Sequence, residues 1–260
     1  MKEYNLITGA SSGLGSALAL ELAKANENLI ITGRNKQKLE SLKDSIKNVD
    51  VEVFCGDLRD EKLCLELISF CESKGIITKF FNNAGLGHFK NFDDSPWDNL
   101  KEVIDVNITS FTYLKHLMIA HMKRHNRNCH IISIASMTSF LPLPQFAVYS
   151  ASKLYVKRLH DIVKVELKDT PIKLHSVYPG GMDTGFMTAS NQKLSQKASR
   201  TLMTPENVAK KIIHSVNKNK PVIIPGAENK FLRFLSSLFT ENFLAKTIGK
   251  VTRNFISSST

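Results

Sequence analysis

Two side chains midway along the chain have the right types and spacing to pass a proton between them. Tyr149 and Lys153 sit four residues apart in Tyr149-Ser150-Ala151-Ser152-Lys153, in a stretch whose apolar spacing predicts a helix over 149–167. Residues at that interval share a helix face, so phenol and amine point into the same space. An isolated phenol, with a pKa of about 10, is a poor base at neutral pH. A neighbouring ammonium favours phenolate and brings the pair into the working range of an acid–base catalyst. Ser136 precedes Tyr149 by 13 residues at the end of an apolar strand, and Asn107 lies in Val106-Asn107-Ile108-Thr109. Each has an ordinary explanation by itself. Asn107-Ile108-Thr109 fits a glycosylation acceptor, which only a secreted chain would use, and Ser150-Ala151-Ser152-Lys153 has the S-x-x-K form of serine acylases. The S-D-N and K-T-G strings that accompany S-x-x-K in those enzymes are missing, as are a G-x-S-x-G elbow and an H-E-x-x-H helix.

A second chemistry is written at the start. Thr8-Gly9-Ala10-Ser11-Ser12-Gly13-Leu14-Gly15 joins an apolar strand, 4–8, to a helix expected over 16–25. Glycines there permit positive φ and let the backbone approach a pyrophosphate, and free N–H groups at the helix start receive its charge. The strand–loop–helix context makes this a dinucleotide site. The second strand, 29–32, ends at Gly33-Arg34-Asn35 with no carboxylate. An acid at that point would hold the ribose 2′-hydroxyl, whereas a guanidinium pairs with a 2′-phosphate. The expected cofactor is therefore NADP(H), with Arg34 as the main phosphate partner and Asn35, Lys36 and Lys38 as helpers. An arginine in a turn is ordinarily solvated; its place directly after the second strand is what gives it this role.

The elements that must position these groups alternate. Further strands are expected over 51–55, 79–82, 130–135, 172–178 and 222–224. Helices are expected to Lys47, over 61–74, from Pro96 to Lys123, over 149–167 and after Thr204-Pro205-Glu206. Nearly continuous apolar strands separated by helices predict an α/β chain: one doubly wound (Rossmann) domain, a seven-stranded mostly parallel sheet with helices on both faces. The domain is expected over 1–225, with a polar substrate lid at about 184–204 and a C-terminal amphipathic helical extension over 226–260.

The G-x-x-x-G-x-G spacing resembles the glycine fingerprint of the short-chain dehydrogenase/reductase family, and other segments then fall into place over residues 3 to 225. Asn82-Asn83-Ala84-Gly85 is similar to the family's N-N-A-G segment, Asp57-Leu58 to its adenine contact, and Pro179-Gly180 with Thr184 to its nicotinamide-amide contacts. The resemblance implies cofactor contacts at Gly9, Ser11, Ser12, Gly13, Leu14, Gly15, Asn83, Ala84 and Gly85. It further implies that Tyr149 is the proton donor in carbonyl reduction and the acceptor in alcohol oxidation, helped by the positive ring of the oxidised cofactor. Lys153 would bind ribose hydroxyls, Ser136 would hydrogen-bond the substrate oxygen, and Asn107, the family's helix-kink asparagine, would position a proton-relaying water. A homodimer or homotetramer is implied, partly through the helices carrying Asn107 and Tyr149. The alternative from another class is a catalytically idle dinucleotide-binding sensor or scaffold; retention of Tyr149 and Lys153 argues against it.

The remaining features set limits. Leu86, Met137, Phe140, Phe146, Gly181, Phe186 and Met187 fall after strand ends and are candidate pocket walls, which favours an apolar carbonyl or alcohol substrate. His88 receives no role. The net charge of +11 is spread along the chain without a basic block, zinc-finger spacing or aromatic–basic signature, so nucleic acid is not an expected partner. Cys55, Cys64, Cys71 and Cys129 form no C-x-x-C pair, and buried free thiols of a cytoplasmic protein are expected, with no metal site. The first residues enter a strand that the glycine loop needs, so a cleaved leader is not expected, and no apolar run is long enough to span a bilayer. Residues 229–255 combine apolar and basic side chains, which suits a helical pair that covers the pocket, pairs subunits or touches an anionic membrane.

Overall fold

Strand after strand in this chain divides its side chains between two hydrophobic cores. In the computed structural model, which describes residues 1–186, 190 and 202–256, Leu6, Ile30, Phe80 and Ile131 lie in one core and their successors Ile7, Ile31, Phe81 and Ile132 in the other. That alternation is the period-two geometry of a strand buried on both faces.

The strands are β1 (Glu3–Thr8), β2 (Leu29–Gly33), β3 (Val51–Cys55), β4 (Ile76–Asn82), β5 (Cys129–Ile134), β6 (Ile172–Val177) and β7 (Val222–Ile223). All pair in parallel in the order β3-β2-β1-β4-β5-β6-β7. One face is covered by α1 (Gly13–Lys24), α2 (Lys36–Ser45) and α7 (Pro205–Asn217), through residues such as Leu18, Leu22, Leu39 and Ile212. The opposite face carries α3 (Glu61–Lys74), α4 (Trp97–Ile104), α5 (Phe111–His125) and α6 (Ala147–Glu166); Leu67, Cys71, Leu114 and Met118 pack there. Two further helices, α8 (Ala227–Ser236) and α9 (Glu241–Ile256), follow the last strand.

The chain winds outward from β1 towards β3 and, after crossing back, from β4 towards β7. The order therefore reverses between β1 and β4, and a crevice opens beyond the carboxyl ends of these two strands.

Several expected boundaries move. β4 starts at Ile76 rather than Lys79, and β7 shortens to two residues at the sheet edge. Pro96 caps α4 from just outside it instead of occupying the first turn. The helix expected from there to Lys123 is not uniform: α4 and α5 are joined by one π-helical segment, Asp105–Ser110, with Asn107 inside it. Cys55, expected to be buried, is exposed at the end of β3; the other three cysteines are buried, and all four are free.

Candidate active site

The crevice is a cleft of about 860 Å³, lined at one end by the glycine loop and the tip of β2 and at the other by Ser136, Tyr149 and Lys153. Gly9 and Gly13 have φ of +68° and +55°. A Cβ on Gly9 would stand 3.0 Å from the Ala84 backbone, and one on Gly13 would meet Thr184 at 3.3 Å. Gly15 does not line the cleft. It lies beneath the loop, where a Cβ would fall 2.2 Å from the Gly9 carbonyl oxygen, so its lack of a side chain lets α1 start directly under the turn. Ser11, Ser12 and Leu14 line the cleft as expected. No acidic residue occupies the first turn of α1, and the Ser12 side chain makes no cap there, leaving the helix start with its positive end uncompensated.

A residue missed from sequence holds this end together. The buried Thr8 hydroxyl accepts from the Asn83 and Ala84 N–H groups, both at 2.9 Å, and Asn83 Nδ2 donates to the Thr8 carbonyl at 2.8 Å. Thr8 thus pins the loop after β4 against the glycine turn after β1, across the point where the strand order reverses. Its position at the last buried place of β1, beside the first glycine, was the available signal. Asn83, Ala84 and Gly85 all line the cleft.

At the β2 end, Arg34, Asn35 and Lys36 line the cleft together with Asp57 and Leu58; Lys38 does not, and only its N–H takes part, donating to the Asn35 side chain that caps α2. The Asp57 carboxylate is held by the Arg59 guanidinium, with Nη2–Oδ2 at 2.6 Å, which together with the nearby charge of Arg34 keeps it below the usual carboxylate range. Arg59 is in turn paired with Glu102. One acid on the rim is thereby neutralised by its own arginine, and Arg34 is left facing the cleft.

At the opposite end, Tyr149 sits in the first turn of α6, and Ser136, just after β5, lines the same wall of the cleft. Ser136 also caps a 3₁₀ turn, Met137–Ser139, by accepting the Thr138 N–H at 3.2 Å, which fixes its side chain. Lys153 Nζ donates to the Ile134 carbonyl at 3.0 Å and lies over the Tyr149 ring face, 5.7 Å from its centroid. Burial pulls the Lys153 pKa down to about 8. Burial also pushes the Tyr149 phenol up to about 12, with the Ser136 hydrogen bond opposing. Desolvation dominates the tyrosine shift and runs against the lowering expected from a neighbouring ammonium.

Asn107 lies below the cleft wall and does not line it. Its Oδ1 accepts from the Leu86 N–H at 2.8 Å, while Nδ2 donates to the Leu86 carbonyl and the Ser152 hydroxyl, both at 2.9 Å. The side chain is a brace between the loop after β4 and the helix that carries Tyr149 and Lys153. The π-helical segment makes room for it by turning Asn107 inward where a regular helix would continue past. Ser152, which also donates to the Tyr149 carbonyl at 2.7 Å, was not singled out from sequence.

Aromatic rings surround the phenol. Phe146 stacks on Tyr149 at 4.2 Å between centroids, and Phe186 stands 5.5 Å from Tyr149. Leu86, Met137, Leu143 and Gly181 complete this wall, and Pro179, Gly180 and Thr184 line the adjoining stretch. Phe140 was expected in the wall and is not there: its ring packs on Tyr178 and under the Arg233 guanidinium. Met187 and most of the expected lid lie outside the described residues.

The geometry fits a dinucleotide. Its glycines stand where side chains would fill the cradle, a basic residue faces the cleft after β2, and a Ser–Tyr–Lys group stands at the far end. Among the described residues no group of histidine, cysteine, aspartate and glutamate side chains is arranged to hold a metal ion. Comparison with known proteins agrees. The family model for short chain dehydrogenase matches residues 3–195. An uncharacterized oxidoreductase of Myxococcus xanthus is 31% identical over 72% of this chain and 74% of its own length. Among solved structures, a short-chain dehydrogenase from Sphingobium yanoikuyae in complex with NADPH superposes with a TM-score of 0.79 at 23% identity, covering 87% of this chain and 88% of that one. One from Burkholderia phymatum in complex with NAD superposes at 0.82 and 21% identity, covering 90% and 92%. The chain belongs to the short-chain dehydrogenase family and is an oxidoreductase of that family.

Proposed function

We propose that this protein is an NADP(H)-dependent enzyme that reduces an apolar ketone or aldehyde, or oxidises the matching alcohol, with Tyr149 as general acid and base. The observation that carries this reading is the placement of Ser136, Tyr149 and Lys153 at one end of a single cleft whose other end presents Arg34 and no uncompensated carboxylate. The same constellation argues against a catalytically idle sensor, which would have no use for it.

A bound nicotinamide dinucleotide would supply or accept the hydride. Its pyrophosphate would lie on Gly9, Ser11, Ser12, Gly13 and Leu14, its adenine end between Arg34 and Asp57-Leu58, and its nicotinamide amide near Pro179, Gly180 and Thr184. Lys153 would hold the ribose. Ser136 donates to the substrate oxygen and stabilises the charge that develops on it. Tyr149, protonated throughout the neutral range, gives its phenolic proton to that oxygen in reduction and takes one back in oxidation. Lys153, close to neutrality, resupplies the proton, and the Asn107 brace keeps both helix residues aligned with the loop at Gly85. Phe146, Phe186 and Leu143 shape the pocket for an apolar carbonyl compound.

The reading extends to a cytoplasmic homodimer or homotetramer. Leu154, Tyr155, Ile162 and Val165 leave an exposed apolar stripe along α6, the helix that carries Tyr149.

Steady-state kinetics with NADPH and NADH against a panel of ketones and aldehydes test the cofactor assignment. The unmodified protein is expected to prefer NADPH in kcat/KM by about tenfold or more, as a charge-assisted phosphate contact implies, and Arg34→Ala to lose most of that preference. Equal use of both cofactors by the unmodified protein would show that Arg34 does not read a phosphate.

A further inference from the structure

The two helices after β7 bury one side and leave a row of large apolar side chains on the other. Asn229 meets Gly180, where an added Cβ would be 2.5 Å from its Oδ1, and bonds the Pro225 carbonyl. Arg233 lies on the Phe140 ring at 4.3 Å, and Gly249 brings the α9 backbone against Pro144, 3.2 Å from an added Cβ. Away from these contacts, Phe231, Leu232, Phe234, Leu238, Phe239 and Phe243 are between 42% and 60% exposed. Phe239 and Phe243 stack on each other at 5.0 Å. Six large apolar side chains exposed on two consecutive helices are costly in water unless something covers them.

Charge identifies the occupant. Residues 227–256 contain Lys230, Arg233, Lys246, Lys250 and Arg253 against Glu228 and Glu241 only, in a chain of net charge +11. Lys246 and Lys250 follow Phe243 at i+3 and i+7 and are exposed, so they prolong the phenylalanine row along one face of α9. Lys230 precedes Phe234 by one helical turn and is also exposed. Exposed phenylalanines flanked by lysines along a helix face match an anionic lipid surface, with the rings at the acyl boundary and the ammonium groups at the phosphates. A second copy of this chain would bring the same positive charges together and gains nothing from them.

We propose that α8 and α9 form a docking face for an anionic membrane. The buried side of α9 rests on Pro144, next to Leu143, which with Phe146 lines the wall beside Tyr149. The docking itself does not rest on the catalytic reading.

Flotation with vesicles decides the matter. The full-length protein, loaded with NADPH, is mixed with vesicles of phosphatidylcholine alone or with about 30% phosphatidylserine. Binding is expected to the anionic vesicles, to weaken at least about tenfold on raising salt from about 0.1 M to 0.5 M, and to be lost in Lys246→Glu/Lys250→Glu. Phe234→Ser/Phe243→Ser is expected to reduce it similarly while NADPH oxidation with a water-soluble carbonyl is unchanged. Failure of the unmodified protein to float with anionic vesicles overturns the proposal whatever the variants do. So does a sedimentation-velocity experiment in which Phe234→Ser/Phe243→Ser dissociates an oligomer that itself does not float, since the second copy would then own the face. Absence of activity together with normal flotation would count against the enzymatic reading and leave the docking face intact.

Discussion

A single hydroxyl, that of Thr8, accepts two backbone N–H groups at the point where the glycine loop and the loop after β4 meet. Thr8→Val keeps the shape and removes the acceptor, so both donors lose their partner. We expect a stability loss of about 1–3 kcal/mol by chemical denaturation and a weaker grip on NADPH, measured by fluorescence titration; unchanged values for both would mean that the two N–H groups find other partners. The titration of Tyr149 and Lys153 bears on the proposed proton transfer. With Tyr149 at about 12 and Lys153 at about 8, the phenol is a ready donor and a poor base. Carbonyl reduction should therefore run evenly through neutral pH and decline above about 8 as Lys153 gives up its proton, whereas alcohol oxidation should rise with pH. A pH–rate profile in both directions checks this, and a reduction rate that climbs above pH 8 would contradict it. The identities of Tyr149, Lys153, Ser136 and the glycines were legible in the sequence because each is tied to a fixed interval or a strand end. The sign of the tyrosine shift was not, because it depends on how deeply the ring is buried. Thr8 and Ser152 were passed over because a small hydroxyl beside a motif reads the same whether or not it bonds.

At the level of elements, the parallel sheet and nearly all its strands followed from apolar runs alternating with helices, and the crevice followed from where the glycine loop stood. The π-helical segment between α4 and α5 did not. It is one extra residue accommodated inside an otherwise periodic stretch, and hydrophobic spacing is too coarse to register it. Its consequence is the inward turn of Asn107, whose amide braces Leu86 to Ser152. The fit of α1 beneath the first turn is stricter still. Gly15→Ala would place a methyl 2.2 Å from the Gly9 oxygen, and because the obstacle is backbone, the helix must move. We expect a loss of about 1–3 kcal/mol or more together with loss of dinucleotide binding, seen as a lower denaturation midpoint and no NADPH fluorescence enhancement. A variant with unaltered midpoint and binding would mean that the turn is not constrained as described.

The whole molecule carries an unusual set of buried basic groups on the α5–α6 side of the sheet. Burial pulls Lys115 down to about 7 and His130 to about 4, and lowers His121, His160 and His175 as well. Each binds a proton more weakly folded than unfolded, so stability is lost as pH falls through the unfolded values and recovers as pH rises. Buried thiols and phenols act in the opposite sense: Cys64, Cys71, Tyr149 and Tyr178 are raised to between about 11 and 12, and the unfolded chain gives up those protons first at high pH. Stability should therefore climb from pH 5 to a maximum at about pH 9 and fall beyond it, as thermal denaturation across that range would show; a maximum below pH 7 would contradict the burial of these groups. No helix among the described residues is long and apolar enough to cross a membrane, so the proposed docking of α8 and α9 is a surface contact. The tail's mixture of apolar and basic residues was visible in the sequence. Which of its side chains face outward was not, since that depends on where Phe140, Pro144 and Gly180 receive it.

In the proposed reaction the Tyr149 phenol delivers the proton while the nicotinamide cofactor delivers the hydride. Single-turnover reduction of an apolar ketone by saturating NADPH, followed by loss of nicotinamide absorbance in the unmodified protein and in Tyr149→Phe, tests it most directly. Tyr149→Phe is expected to bind NADPH as tightly as the unmodified protein and to react about 10²–10⁴-fold more slowly. A variant that reacts at the same rate would contradict it.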